Sequence, residues 1–168
     1  MNIFMTDPCP QISAYNLCYK HVVKMILECA QMLSTTHRVF DNEYAERNNL
    51  YKKTHYNHPC SVWCRESAEN YTWLYTHMMA LGEVYQLKSG RVHKTIGKLS
   101  EALSFTPVGL AGKGLTEMPP AIPDEIKGLD ISLFDKYKVY LSEKYKEWAS
   151  REKPLSVEFP IATPKWFV

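Results

Sequence analysis

Residues 20–33 read KHVVKMILECAQML. The stretch has no Gly or Pro, and its apolar positions recur at helical spacing, so it predicts a long helix. Val22, Ile26, Cys29 and Leu33 form one apolar row, and Val23, Met25, Leu27, Ala30 and Met32 extend it nearly all the way round. A helix that apolar belongs in a core. Yet His21, Lys24, Glu28 and Gln31, stepping by three, four and three, lay one narrow polar stripe along it. Buried polar groups need partners, and either a structural network or a cleft can supply them.

The surrounding chain fits such a core. Its 168 residues are 45% hydrophobic, which suits a single globular domain over residues 1–168. Twenty basic against eighteen acidic residues leave a net charge of +2, too balanced to mark a nucleic-acid or membrane binder by charge alone. Any such contact has to come from a local patch. Five cysteines, an odd count with no secretory leader ahead of them, predict reduced thiols in a cytoplasm. No apolar run approaches the ~20 residues a bilayer demands, so no membrane partner is expected.

Met1–Met5 reads as a short strand ended by Thr6-Asp7-Pro8. The first long helix then starts between Ser13 and Asn16 and ends near His37. Residues 41–58 are polar and turn-rich, a surface segment. Pro59 opens a second long helix running to about Lys88, with Gly90 as its stop. Cys64, Ala68, Tyr71, Leu74, Met78, Leu81 and Tyr85 are its core row. A third helix carries Val92, Ile96, Leu99 and Leu103. Residues 105–129, rich in Pro and Gly, are a long irregular loop. Ser132 and Asp135 cap a last helix to about Ser150, and the tail PLSVEFPIATPKWFV lies extended over the body. The fold class is mainly α: a helical bundle of about four main helices.

Three groups of residues carry candidate chemistry. The stripe on the first helix offers Glu28 as acid or base, His21 as proton shuttle, Lys24 as phosphate ligand or Schiff-base amine, and Gln31 as hydrogen-bonding partner. On the second helix, Trp63, Glu66, Asn70, Trp73 and His77 form a row between the core and wet faces. Opposite the first stripe, Glu66 and Asn70 would join Glu28 and His21 around one hollow, and Trp63 and Trp73 would stack on a base or sugar. The third group is two acid-free basic segments: Tyr51–His58 with His55 and His58, and Lys88–Lys98 with Arg91, His93 and Lys94. If they meet, they could grip phosphates. His55, His58, Cys60 and Cys64 match no zinc spacing, and no metal or other cofactor is expected. Cys29 and Cys64 lie on apolar rows, where thiols are dull nucleophiles. GLAGKG at 109–114 lacks the pattern of a phosphate loop and suits a flexible lid better.

Several blocks resemble an uncharacterised family of small helical proteins found in bacteriophages and bacteria. These are MNIF, KHVVKMILECAQML, KTHYNHPCSVWCRESAENYTWL, ALGEVY, GRVHK, the C-terminal aromatic-basic helix and PKWF. The resemblance implies a phage-type intracellular protein concerned with DNA or nucleotides. Together these readings point to an enzyme acting on a nucleobase or nucleotide, free or in DNA, by glycosidic-bond cleavage or base modification in a pocket between helices. A non-catalytic binding protein that captures a host factor or a small nucleotide signal is the alternative from another class, and a module whose polar rows merely pin its helices together is a third.

Overall fold

The computed structural model describes residues 1–167 and contains, among them, eight helices and no strand. They are α1 (Pro10–Tyr15), α2 (Tyr19–Phe40), α3 (Asn42–Arg47), α4 (Pro59–Cys64), α5 (Ala68–Ser89), α6 (Lys94–Leu103), α7 (Asp124–Lys127) and α8 (Leu133–Ser150). None is long and apolar enough to cross a membrane.

The two 22-residue helices, α2 and α5, pack on each other at the centre, and α1 lies on α5. Val22, Ile26, Cys29 and Leu33 of α2 are fully buried, as are Cys64, Leu74, Met78 and Leu81 from the α4–α5 side. Both predicted long helices are interrupted. The chain breaks between Asn16 and Cys18, where Asn16 Nδ2 donates to Thr6 Oγ1 (3.1 Å). The first free N–H of α2, on Tyr19, donates instead to Glu158 O in the tail (2.7 Å). The second break falls at Arg65–Ser67. Ser67 is extended (φ −149°), and its Oγ accepts from Asn70 N, capping α5 afresh. The apolar row runs straight across this break, which is why periodicity alone hides it. At the far end, Gly90 sits at φ 69°, a left-handed cap favourable to glycine.

Residues 1–5 are not a strand. No neighbouring strand pairs with them, and Met5 N and Thr6 N donate to Ile3 O and Phe4 O, two residues back. Ile3, Phe4 and Met5 are nevertheless buried, so the segment threads through the body as irregular chain. The loop at 109–116 is no free lid. Ala68 N donates to Ala111 O, Ser67 Oγ to Gly114 O, Lys113 N to Glu69 Oε2 and Thr116 N to Asn70 Oδ1, tying it across the α4–α5 junction. Ser132 and Asp135 cap α8 as its sequence predicts. The tail then doubles back, with Phe159 and Phe167 edge-on to buried Tyr145.

Candidate active site

The polar stripe of α2 opens into a cleft between α2, the N-terminal segment and α8. Glu28 keeps 13% of its side-chain exposure there. Its Oε2 accepts from Asn2 N at 3.2 Å and lies 3.7 Å from the Met1 α-amine, while Oε1 lies 3.3 Å from Lys24 Nζ. One carboxylate thus faces two amines. The Asn2 side chain explains why the first of them stays put. Its Oδ1 accepts from Ile3 N (2.8 Å) and Tyr137 Oη (3.0 Å), and its Nδ2 donates to Ala121 O (2.8 Å). Lys24, 68% exposed, stands on the outer side.

Beside the pair lies a cavity of about 560 Å³. Lys20, Lys24 and Lys144 give it a positive rim, and Phe4, Tyr140 and Trp148 an aromatic wall. Tyr140, Lys144 and Trp148 share one face of α8 at i, i+4 and i+8. Lys144 Nζ donates to Tyr140 Oη (3.2 Å) and stands 5.6 Å from the Trp148 ring centroid.

His21 also lines this cavity, 4% exposed, its ring 4.5 Å from that of Phe4 and 4.9 Å from that of Trp148. Its Nδ1 is 2.8 Å from Tyr145 Oη, which accepts from Cys18 N (3.3 Å). Burial, then the charges of Lys144 and Lys24, push the ring down to about 3. A ring held neutral so far below pH 7 keeps one N–H donor and one acceptor nitrogen.

The second row does not face the first. The break at Arg65–Ser67 sends its members in different directions. Trp63 is fully buried, with Nε1 donating to Thr116 O (3.0 Å), and Trp73 is 6% exposed, with Nε1 donating to Pro8 O (2.8 Å). Both are engaged in the body, their rings 6.0 Å apart edge to face, so neither offers a free face for stacking. Asn70 is buried and spent on Trp63 O, Thr116 Oγ1 and Thr116 N. His77 bonds Pro10 O through Nδ1 (2.9 Å) and is pushed down to about 4 by burial. Glu66 is exposed, accepts from Thr116 Oγ1 and lines a separate shallow pocket with Arg65 and Lys113. Gln31 is half-buried and outside the cavity lining. The single hollow expected between two polar rows is therefore replaced by one between α2 and α8.

Of the basic segments, His58 and His93 serve as helix caps: their Nδ1 atoms accept from Cys60 N (3.3 Å) and Thr95 N (3.2 Å). His58 is held below its ordinary value by burial first, then by the charge on the N-terminal amine. His55, at φ 47°, Arg91 and Lys94 are exposed. His55, His58, Cys60 and Cys64 do not converge: Cys60 Sγ points to Asn2 Oδ1 (3.7 Å) and Cys64 Sγ pairs with Thr36 Oγ1 (3.4 Å). Burial drives the Cys60 and Cys64 thiols up to about 11 and about 12, so they are poor nucleophiles.

Of the residues at this cavity, the sequence singled out Glu28, His21 and Lys24 but not Met1, Asn2, Tyr140, Lys144 and Trp148. A signal for the last three existed in their four-residue spacing; for the first two there was none. Comparison with known proteins adds one finding. A family model described as pyrimidine dimer DNA glycosylase matches residues 1–96, from the α-amine through α5, a span that holds the blocks from MNIF to GRVHK but not the C-terminal helix or PKWF. No curated protein and no solved structure matches the chain.

Proposed function

The chain belongs to the pyrimidine dimer DNA glycosylase family, and from that premise we propose that it cleaves the glycosidic bond of a damaged pyrimidine in DNA by amine attack assisted by Glu28. The observation that carries this reading is the Glu28 carboxylate set between two amines on the wall of a positively rimmed aromatic cavity.

A neutral amine attacks C1′ of the damaged nucleotide. The C1′–N1 bond breaks, and its electron pair leaves with the pyrimidine, which takes a proton from water. The new C1′–N bond leaves the nitrogen cationic, and Glu28 accepts the proton it sheds. Returning that proton to the sugar ring oxygen opens the ring and leaves an iminium joining protein and C1′. The Met1 amine is favoured over Lys24 because Asn2 holds it on the inner side of the carboxylate. The neutral His21 ring would hydrogen-bond the sugar or base. Phe4, Tyr140 and Trp148 would contact an extrahelical base, since a stacked one cannot reach such a cavity. Lys20 and Lys144 would attract the flanking phosphates.

The test is incubation with an ultraviolet-irradiated duplex, with and without borohydride, which reduces an iminium to a stable protein–DNA adduct. The expected adduct maps to the N-terminal peptide, and Glu28→Gln lowers the rate of glycosidic cleavage, read as adduct formed, by 10²–10⁴-fold, on the order of the loss of a general acid–base group. Near-wild-type cleavage by Glu28→Gln would refute the carboxylate role, and an adduct on Lys24 would move the nucleophile there. A stoichiometric complex with intact DNA and no product would favour capture without catalysis.

A further inference from the structure

Two basic segments that lie at opposite ends of α5 in sequence meet in space. Tyr51 Oη is 3.2 Å from Thr95 Oγ1, and Lys98 Nζ stands 5.7 Å from the Tyr51 ring centroid. A few residues on, Lys53 Nζ and Arg65 Cζ stand 5.2 Å and 4.0 Å from the ring centroid of exposed Tyr56. No Asp or Glu occurs from residue 47 to residue 65. Among the described residues, Lys53, Arg65 and Lys98 make no ion pair, whereas Arg38, Lys88 and Arg151 each do. Arg65 is nonetheless held in place, with Nη1 donating to Ser61 O (3.0 Å) and Ser61 Oγ (3.4 Å). Cations steadied on aromatic faces, without a carboxylate to neutralise them, are arranged for an anion from outside.

No residue of the band lines the cavity itself, but the 51–58 segment leads into α4, whose buried Cys60 Sγ lies 3.7 Å from Asn2 Oδ1, the side chain beside the N-terminus. We propose that the band from Lys98 across Tyr51 and Lys53 to Arg65 is the track along which backbone phosphates of DNA lie as the strand approaches the cavity. This rests on the glycosylase reading and assigns the protein groups that hold its substrate strand. From Tyr51 to His58 the chain spans at most about 25 Å, enough for roughly seven phosphates of one strand at ~3.4 Å each along the axis. Tyr51 and Tyr56 act as the platforms that fix the cations, and the cations touch the phosphates.

The test is the salt dependence of binding to an undamaged duplex, which requires no catalysis. For every phosphate the protein no longer neutralises, the slope of log K against log salt becomes shallower by about 0.9, so Lys53→Ala with Lys98→Ala should reduce it by about 1.8. Between 50 and 200 mM salt, that variant should lose about twelvefold less affinity than the parent. Lys146→Ala with Lys165→Ala removes the same charge from exposed positions outside the band and should leave the slope unchanged. An unchanged slope in the first variant overturns the proposal. So does an equal fall in both, which would report diffuse charge; melting curves confirm that both variants are folded. If the parent leaves irradiated DNA intact, the glycosylase reading fails while the slopes still decide the band.

Discussion

Replacing Tyr137 with Phe removes one oxygen atom 3.0 Å from Asn2 Oδ1, to which it donates, and 3.2 Å from Ala121 N, from which it accepts. The ring itself is fully buried and keeps its packing. Two hydrogen bonds at ~1 kcal/mol each amount to about 2 kcal/mol, which in a chain of this size lowers the melting temperature by about 4–8 °C. The effect on rate has a different origin. Tyr137 and Ala121 hold Asn2 from opposite ends of its amide, and Asn2 N holds Glu28. Loosening that tether lets the terminus drift, and a displacement of about 1 Å at reacting atoms costs on the order of 10²-fold. Single-turnover glycosidic cleavage of irradiated duplex, measured at saturating protein well below the melting transition, should fall ten- to a hundredfold. A lowered melting temperature with an unchanged rate would refute the positioning argument, because the hydrogen bonds would then stabilise the body without governing the amine.

Glu66→Gln should leave glycosidic cleavage within about twofold of the parent, since Glu66 lines a different pocket from Glu28; a loss near that of Glu28→Gln would restore the two-carboxylate reading. Stability should fall as the solution is acidified. Burial holds His21 near 3 and His37 and His77 near 4, all below the ordinary 6.5. Between those values and 6.5 the unfolded chain binds more protons than the folded one, so each ring removes about 1.4 kcal/mol of stability per pH unit as pH drops. Melting temperatures that stay flat from pH 7 to pH 5 would contradict this. Ser67→Ala removes the cap of α5 and the bond to Gly114 O. It should cost about 1–2 kcal/mol, read as a melting temperature lowered by about 2–8 °C; an unchanged transition would show that the junction is held without it.

What the sequence made legible follows the range of the interactions involved. His21, Lys24 and Glu28 share a face because helical geometry puts i+3 and i+4 neighbours together, and the KHVVKMILECAQML pattern has the period of a helix throughout. The caps at His58–Pro59, Gly90 and Ser132–Asp135 are equally local. The α4–α5 break escaped because Cys64, Ala68 and Tyr71 keep their spacing through it. Its signal was a single serine with an acidic residue two positions on, a weak mark against an unbroken apolar row. Asn2 was beyond reach altogether. Its meaning lies in contacts with residues 119 and 135 positions away, and nothing in MNIF predicts them. The same holds for the row Tyr140, Lys144 and Trp148, whose spacing is visible but whose partner helix is not.

The site divides unevenly along the chain. Both amines and Glu28 lie within the first 28 residues, inside the matched segment 1–96. The wall opposite, Tyr140, Lys144 and Trp148, and the tether through Ala121 and Tyr137 lie outside it. This division has a physical basis. On the proposed mechanism the amine and the carboxylate must keep one mutual geometry for bond making, and residues close in sequence achieve that at little cost in closure entropy. Here the two parts are not independent. One buried tyrosine of α8 both packs the core and holds Asn2, so the segment that shapes the cavity also sets where the N-terminus stands beside Glu28.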